Sequence, residues 1–281
     1  MQSNNALSDS QLVDVTAFLA EDIGPGDITA SLIPKDLQAE ATVITREKTV
    51  LCGQAWFEAV FKEIDQRVDI DWSIAEGQIA EAGTTLCKLA GPAAALLTGE
   101  RTALNLLQTL SATATVARQY ADAVAGTGCK LLDTRKTIPG LRKAQKYAVA
   151  CGGCFNHRIG LYDGVLIKEN HILATGSITK AVQLARQASD TPVEIEVESL
   201  QEFREACAAK PDRIMLDNFT LDDMRTAVAQ KPIGIELEAS GNIDMTNIRA
   251  VAETGVDYIS IGALTKNVKA IDLSMRINLV H

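Results

Sequence analysis

The sequence predicts an α/β protein in which an N-terminal α+β domain precedes an incomplete parallel α/β barrel of about six strands. From residue 130 onward, short strand-like segments alternate with helical segments, the order typical of a parallel sheet or barrel. Before residue 98, strand-like pieces surround a single apolar helix without that alternation. Six strands are fewer than the eight of a complete TIM barrel, so the barrel is expected to be incomplete.

The N-terminal part begins with a helix-like segment for which Ser8 is the expected cap and Leu12 lies on the apolar face. A broad stripe of Ala and Leu predicts one long helix over residues 98–125, which is buried on more than one side and joins two domains or two subunits. The strand-like pieces are residues 41–45, 68–72 and 83–89, and the apolar helix is centred on residues 55–61.

The second half of the chain carries the barrel signals. Its predicted strands are residues 130–133, 164–168, 193–198, 213–217, 234–238 and 258–261. Helical segments are predicted between the later strands, at residues 200–209, 221–229 and 245–253.

Composition excludes several classes of protein. The 281 residues are 47% apolar and 22% charged, which is ordinary for a globular enzyme. No apolar run approaches the roughly 18–20 residues of a membrane span, and the N-terminus lacks the features of a signal peptide. The formal net charge of −9 disfavours nucleic acid as a partner. A cytoplasmic protein without a membrane or nucleic-acid partner is therefore expected.

One segment departs from this acidic balance. Residues 130–171 contain eight Lys or Arg against three Asp or Glu, which leaves a local charge of +5 in a chain of −9. Two of the three histidines, His157 and His171, lie in the same segment. A basic pocket in an acidic protein favours a small, multiply charged anion as ligand.

Six cysteines lie mostly in apolar surroundings and are expected to be buried, reduced thiols. Cys151 and Cys154 form a CGGC pair, which leaves open a structural zinc site or a redox dithiol. No second pair exists, and His157 is the nearby imidazole.

Polar groups follow all six predicted strands, and parallel barrels keep their active sites at the carboxyl ends of the strands. Alternation places Glu194, Glu196 and Glu198 on one strand face, where Lys168 and Arg135 are expected to neutralise them. Two glycine-bearing segments, 238–242 and 261–265, follow late strands and suggest backbone contacts with a phosphate.

The residues leave three interpretations of the site open besides an enzyme that binds a small anion. Lys168 could form a Schiff base in an aldolase. Two related enzymes could also share most of these motifs and act on different anionic acceptors. A binding protein without catalysis would leave the six polar strand ends unexplained.

Nine motifs in order across almost the whole chain resemble the quinolinate phosphoribosyltransferase family. They are EDIGPGD from Glu21, GERTALN from Gly99, DTRKTIPGLR from Asp133, NHRIGLYD from Asn156, LIKENH from Leu166, EVES from Glu196, LDNF from Leu216, EASGN from Glu238 and ISIGALT from Ile259.

The resemblance implies an N-terminal α/β sandwich domain, residues 1–110, completed by residues 268–281, and a partial α/β barrel, residues 111–267. It also implies a homodimer or larger homo-oligomer. The implied reaction joins quinolinate to phosphoribosyl pyrophosphate and gives nicotinate mononucleotide, pyrophosphate and CO2 with Mg²⁺ as cofactor, a step of NAD biosynthesis.

Site residues follow from the resemblance together with the chemistry of the substrates. Guanidinium groups bind carboxylates in a two-point fork, so Arg135 and Arg158, with Arg101 and His157, form the expected quinolinate clamp. Arg101 is expected to cross the dimer interface. Lys136 and Lys168 are expected to neutralise pyrophosphate.

The remaining expected contacts concern the ribose and its phosphate. Glu198 and Asp217 are expected to hold the ribose hydroxyls or Mg²⁺, and to act in catalysis together with the two lysines. Residues expected to contact the substrates elsewhere, chiefly the 5′-phosphate, are Thr134, Ser240, Gly241, Asn242, Ile261, Gly262 and Ala263.

Two local departures from the family pattern are visible. Cys154 stands where a third glycine is common, and Asn267 stands where a histidine is common after Lys266. Cys154 is expected to be a packing substitution unless its backbone needs a positive φ.

Overall fold

A computed structural model of the chain describes residues 14–34 and 36–280, which fold into two compact units. Among the described residues, the first unit comprises residues 14–34, 36–117, 143–152 and 267–280, and the second comprises residues 118–142 and 153–266. The expected cap Ser8 and the apolar Leu12 lie outside the described residues. The first described helix, α1 (Thr16–Ile23), buries Leu19.

An antiparallel sheet forms the centre of the first unit. Its strands are β1 (Gln38–Thr45), β3 (Asp69–Trp72), β5 (Thr85–Pro92) and the C-terminal β12 (Leu273–Leu279), in the order β12-β1-β5-β3. Ala39, Ala41 and Val43 of β1 alternate toward the core, as expected of a strand with one buried face. The C-terminal residues therefore complete the N-terminal sheet. A separate pair joins β2 (Thr49–Val50) and β4 (Ile79–Ala80).

Two helices supply much of the apolar core of this unit. Helix α2 (Gln54–Ile64) buries Trp56, Phe57 and Phe61. Helix α3 (Ala93–Ala123) approaches α2 so closely that a Cβ on Gly99 would lie 2.7 Å from the Phe61 ring. This close approach explains why a glycine occupies the first position of the GERTALN motif.

The long helix was predicted over residues 98–125, and α3 begins five residues earlier because the chain enters it directly from β5. The residues of α3 from Arg118 onward belong to the second unit, so the boundary between the two units lies inside α3, and the predicted boundary after residue 110 lies in the same helix. Helix α4 (Arg142–Cys151) lies almost entirely within the first unit although it interrupts the barrel sequence.

The second unit is built on one parallel six-stranded sheet, ordered β6-β11-β10-β9-β8-β7. Its strands are β6 (Lys130–Leu132), β7 (Val165–Ile167), β8 (Val193–Val197), β9 (Arg213–Asp217), β10 (Glu236–Ser240) and β11 (Tyr258–Ser260). The sheet order leaves β6 and β7 at its two edges, in agreement with an incomplete barrel.

Helices connect these strands and several begin at side-chain caps. The hydroxyls of Ser177, Ser199 and Thr220 each accept a hydrogen bond from a backbone N–H in the first turn that follows. The helices are α5 (Glu169–Thr175), α6 (Ile178–Ala188), α7 (Leu200–Ala209), α8 (Leu221–Gln230), α9 (Ile248–Ala252) and α10 (Ala263–Lys266).

Several predicted bounds were wrong. Strand β10 begins two residues later than predicted, because Gly234 adopts a left-handed φ of 93° in the preceding turn. The helix predicted over residues 245–253 begins at Ile248, because Asp244 accepts hydrogen bonds from the backbone N–H and the hydroxyl of Thr246. Helices α4, α5, α6 and α10 were not predicted. No described helix is long and apolar enough to cross a membrane.

Candidate active site

The carboxyl ends of the six parallel strands carry most of the predicted site residues. Parallel strands end at the same edge of a sheet, so the segments that follow them lie together along one edge of the second unit. The predicted residues on this strand-end edge are Thr134, Arg135, Lys136, Lys168, Glu198, Asp217, Ser240, Gly241, Asn242, Ile261, Gly262 and Ala263.

The loop after β6 is fixed by hydrogen bonds to the backbone. The Arg142 guanidinium donates to the hydroxyl of Thr137 at 3.1 Å and to the carbonyl oxygens of Ile159 and Arg135 at 3.2 and 3.4 Å. The Thr265 hydroxyl donates to the carbonyl oxygen of Lys136 at 2.8 Å. These bonds hold Arg135 and Lys136 in place by their backbones and leave their charged ends for a ligand.

The segment that contains His157 and Arg158 runs beside β6. Phe155 forms a parallel bridge with Leu132, and the buried Asp133 then accepts the backbone N–H of His157 at 2.9 Å and the side-chain amide of Asn156 at 2.7 Å. Asp133 therefore joins the two segments that carry the predicted arginines. The sequence marked Asp133 as part of a motif, but it gave no sign of this role.

His157 does not offer a free ring nitrogen. Its Nδ1 accepts the backbone N–H of Arg158 at 2.8 Å, so the proton lies on Nε2, which donates to Glu194 Oε2 at 2.8 Å. The His157 side chain is 11% exposed. The predicted contact of His157 with quinolinate stays a prediction, and its ring also holds the backbone of Arg158 in place.

Two buried acids lie beneath this histidine. Burial raises the pKa of Glu238 to about 7, and the negative charge of Glu194 adds to the effect. Burial also raises the pKa of Glu194. Arg213 compensates them by donating to Glu238 Oε2 at 3.1 Å, and it stacks 3.9 Å from the centre of the Tyr258 ring. The network holds charges that the β-sheet could not otherwise bury.

Neutralisation of the β8 acids was predicted to come from Lys168 and Arg135. Lys168 does form an ion pair with Glu196. Glu194 instead faces His157 and Arg213, because Arg213 lies directly opposite Glu194 in the register of β8 and β9. The prediction for Arg135 was therefore wrong.

Arg135 and Arg158 form a cationic pair. Burial, and then the charge of Arg135, lower the pKa of Arg158, while the negative charges of Glu194 and Asp163 partly offset this effect. Arg158 Nη1 donates to the carbonyl oxygen of Gly164 at 3.0 Å, and the buried Nε of Arg135 has no hydrogen-bond partner among the described residues. Among the described residues, no carboxylate lies within ion-pair distance of either guanidinium group. Such a pair needs an anion.

Acidic groups gather after β8 and β9. Glu198 is exposed, and its pKa is raised by the negative charge of Glu169, with Glu202, Asp217 and Glu196 also contributing. Carboxylate oxygens that repel one another in this way suit a divalent cation such as Mg²⁺, which prefers oxygen ligands and retains several waters. The donor set of Glu198 and Asp217 therefore fits the expected metal.

Asn218 links the acidic group to the glycine segment after β10. It adopts a left-handed φ of 56°, donates to Asp217 Oδ2 at 2.8 Å and accepts from the Asn242 amide at 3.0 Å. A Cβ on Gly241 would lie 2.2 Å from Asn218 Oδ1 and its φ is 91°, so only glycine fits there.

Gly262 provides the corresponding space after β11. A Cβ on Gly262 would lie 3.2 Å from Cδ of Lys136, so the lysine side chain lies directly over this loop. Within the described residues, the backbone N–H groups of Gly241, Asn242 and Gly262 donate to no other protein group. The two glycine segments can therefore offer N–H donors to a phosphate.

Arg101 is the predicted site residue that lies in the first unit. It is exposed on α3. Its expected role across a dimer interface stays a prediction.

The two cysteines of the CGGC segment belong to different units. Cys151 ends α4 in the first unit, and Cys154 is buried in the second. Cys154 is not among the described non-glycine residues with positive φ, as a packing substitution requires. All six cysteines are free thiols.

The chain is similar to known proteins over almost its whole length. The sequence model of the quinolinate phosphoribosyl transferase N-terminal domain matches residues 27–111, and that of the C-terminal domain matches residues 113–276. A probable carboxylating nicotinate-nucleotide pyrophosphorylase of Bacillus subtilis is 43% identical over 264 residues, which cover 93% of this chain and 91% of the relative.

Two further comparisons extend the similarity. A chloroplastic carboxylating nicotinate-nucleotide pyrophosphorylase of Oryza sativa subsp. japonica is 39% identical over 286 residues, covering 94% of this chain and 76% of the relative. The solved structure of the nicotinate-nucleotide pyrophosphorylase from Francisella tularensis superimposes with a TM-score of 0.93 at 47% identity, covering 99% of this chain and all of the other.

Proposed function

This chain belongs to the quinolinate phosphoribosyltransferase family, and on that premise we propose that its strand-end edge carries out a Mg²⁺-dependent transfer. The phosphoribosyl group passes from phosphoribosyl pyrophosphate to the ring nitrogen of quinolinate. Pyrophosphate leaves, and loss of CO2 then gives nicotinate mononucleotide. Family membership excludes the aldolase and non-catalytic readings.

The observation that carries the proposal is the cationic pair of Arg135 and Arg158. Two adjacent, partly buried guanidinium groups, neither of which forms an ion pair with a described carboxylate, match the two adjacent carboxylates of quinolinate. Each can engage a carboxylate through a planar fork that a lysine cannot copy. His157 and Asp133 fix the segment that carries Arg158, so the clamp is formed before the substrate arrives.

Lys136 and Lys168 lie on the first two strand ends and are proposed to bind pyrophosphate. Their positive charges offset the negative charge that builds up on the leaving group as the C1–O bond of the ribose breaks. Lys168 is held at the edge by Glu196 while its side chain remains 47% exposed. Ser240, Gly241, Asn242, Ile261, Gly262 and Ala263 would hold the 5′-phosphate through backbone N–H and hydroxyl groups.

Glu198 and Asp217 are proposed to bind the ribose hydroxyls or the metal. Bound Mg²⁺, held by these carboxylates, would supply positive charge that offsets the negative charge of the leaving pyrophosphate. The two carboxylates favour positive charge on the ribose C1 as the bond breaks. Asn218 holds Asp217 in position for this role.

Decarboxylation follows the transfer, because the ring nitrogen is positively charged only after it has bonded to C1. That charge stabilises the electron pair that CO2 leaves on the ring carbon, and this carbon then takes up a proton from solvent. Arg135 and Arg158 keep the ring oriented during both steps. No organic cofactor takes part in this scheme.

We further propose a homodimer or larger assembly in which Arg101 reaches the site of the partner subunit. Exposure of Arg101 and its position outside the second unit support this arrangement. The cytoplasmic location expected from the sequence also stays a prediction.

The decisive assay measures pyrophosphate and CO2 released from quinolinate and phosphoribosyl pyrophosphate, with Mg²⁺ present and then removed by a chelator. Equal amounts of both products are expected with the metal, and neither without it. Pyrophosphate release with another pyridine or anionic acceptor, but not with quinolinate, would contradict the substrate assignment. Undiminished turnover after chelation would contradict the metal requirement.

A further inference from the structure

Three potential metal ligands, none of which is assigned to the reaction, meet in the first unit. The Sγ atoms of Cys52 and Cys151 and a carboxylate oxygen of Glu76 all lie within 4.8 Å of one another. Cys52 follows β2, Glu76 precedes β4 and Cys151 ends α4. Three distant stretches of sequence thus converge on one point.

The carboxylate of this cluster is already positioned by the backbone. Glu76 Oε1 accepts the N–H of Gly53 at 2.8 Å, and Oε2 accepts the N–H of Gln54 at 3.2 Å. Gly53 takes a left-handed φ of 111°, and a Cβ there would lie 3.0 Å from Leu110. Hydrogen bonds of this kind orient ligands in metal sites.

Cys52 is fixed in the same way. Its backbone N–H donates to the Ser111 hydroxyl at 3.0 Å, and that hydroxyl donates back to the Cys52 carbonyl oxygen at 3.1 Å. These hydrogen bonds hold the buried Cys52 beside Glu76 and Cys151.

Two further residues, Tyr147 and Gly77, border this cluster. Tyr147 belongs to α4 and its ring centre lies 5.2 Å from that of Trp56. Burial, and then the charge of Glu76, raise the pKa of its hydroxyl. Gly77 leaves room next to Cys151, because a Cβ there would lie 3.4 Å from Sγ.

We propose that Cys52, Glu76 and Cys151 bind one soft divalent cation of the zinc class, with water or the Tyr147 hydroxyl as the fourth ligand. Two thiolates and a carboxylate are a donor set that suits tetrahedral Zn²⁺. Each S–H bond is replaced by a sulfur–metal bond, and the two protons pass to solvent. The cation joins the end of α4 to the segment between β2 and α2 within the first unit.

Binding can be measured on the reduced, chelator-treated, full-length chain with Co²⁺ or Zn²⁺ alone. Equilibrium dialysis should give one equivalent of metal per chain, and bound Co²⁺ should show thiolate-to-metal charge-transfer absorption. Cys52→Ser and Cys151→Ser should each lose that absorption. Glu76→Gln should weaken binding about tenfold or more. Excess Mg²⁺ should not compete, because it is a hard cation that prefers oxygen ligands.

Two control variants distinguish binding at this cluster from binding at other cysteines of the chain. Cys207→Ser, on α7 of the second unit, and Cys154→Ser should both retain full binding. Loss of binding in Cys154→Ser would move the site to the CGGC pair and overturn the proposal. Absence of stoichiometric binding by the reduced parent, or equal binding by Cys151→Ser, would also overturn it.

Turnover separates this proposal from the function proposed above. Cys151→Ser should release pyrophosphate and CO2 from quinolinate at the parent rate when Mg²⁺ is supplied, which also shows that the variant folds. Loss of two free thiols from the parent in air, together with failure of the reduced protein to bind Co²⁺, would identify a disulfide instead.

Discussion

The two ends of the strand-end edge use opposite charges in opposite environments. At the β6 end, Arg135 and Arg158 are partly buried, and neither forms an ion pair with a described carboxylate. At the β8 and β9 end, Glu198 stands exposed among other acids, and their repulsion raises its pKa. The two partly buried guanidinium groups can select an anion by its shape, whereas the exposed carboxylates around Glu198 require only a cation of suitable charge. Specificity is therefore expected at the cationic end and metal dependence at the acidic end.

The largest expected effect tests the cationic end with a smaller substrate. Nicotinate lacks the second carboxylate, so one buried guanidinium would remain unpaired, and a site built for hydrogen bonds typically discriminates by about 10,000-fold. Values of kcat/KM for the two acids, measured at saturating phosphoribosyl pyrophosphate, give the ratio. Comparable values would contradict the clamp.

Arg135→Lys keeps the charge at that end and removes the fork. KM for quinolinate should rise roughly ten- to hundredfold, since hydrogen bonds to charged groups contribute about 1.5–3 kcal/mol. KM for phosphoribosyl pyrophosphate should change much less. Arg225→Lys, an exposed ion-paired arginine on α8, is the matched control and should behave as the parent. Unchanged quinolinate binding in Arg135→Lys would remove Arg135 from the clamp.

Substitutions at the acidic end should alter the metal requirement and spare quinolinate selection. Glu198→Gln and Asp217→Asn should each raise the Mg²⁺ concentration for half-maximal rate about tenfold, the usual scale for weakened metal sites. Mg²⁺ titrations at fixed substrate concentrations measure this shift. Glu205→Gln, an exposed acid on α7, is the control. A change in the ratio of quinolinate to nicotinate turnover, without a metal shift, would reverse the two assignments.

A subunit-mixing experiment with Arg101 variants tests whether a second chain completes the cationic end. Arg101→Ala and Lys168→Ala chains, each inactive alone, should recover roughly a quarter of parent activity after random subunit exchange, because about half of the dimers are mixed and each contains one intact site. Exchange can be verified with differently tagged chains. If exchange occurs and activity does not return, Arg101 acts within its own chain or serves only the fold.

The strand-end edge could be predicted from the sequence because each polar motif comes directly after its own strand. Each motif follows its own strand, and parallel strands must end together, so residues such as Lys168 and Asp217 could be placed without any contact being known. The partner of Glu194 could not be predicted, because it depends on the register between β8 and β9, which puts Arg213 opposite it. Register depends on packing across the whole sheet.

Roles that depend on distant contacts were missed for the same reason. Arg142 was counted only as part of a basic segment, yet it ties together the backbones of Arg135 and Ile159. Cys151 was grouped with its neighbour Cys154, whereas its closest potential co-ligands, Cys52 and Glu76, are many residues away in the chain. His157 was placed in the clamp by motif, and only the geometry showed both ring nitrogens bonded within the chain.

The buried Glu238 makes the stability of the fold depend on pH through proton linkage. Its pKa is about 7 in the folded chain and near 4.5 when exposed, so the folded state retains a proton that the unfolded state releases between those values. The free energy of unfolding should therefore fall as pH rises through this window, by at most about 1.4 kcal/mol per pH unit for one proton. Denaturant unfolding of Glu238→Gln and the Glu205→Gln control at several pH values should show a flatter slope only in the former. Mildly acidic pH should thus stabilise the fold through the buried Glu238, whereas carboxylates more often make a protein less stable in acid.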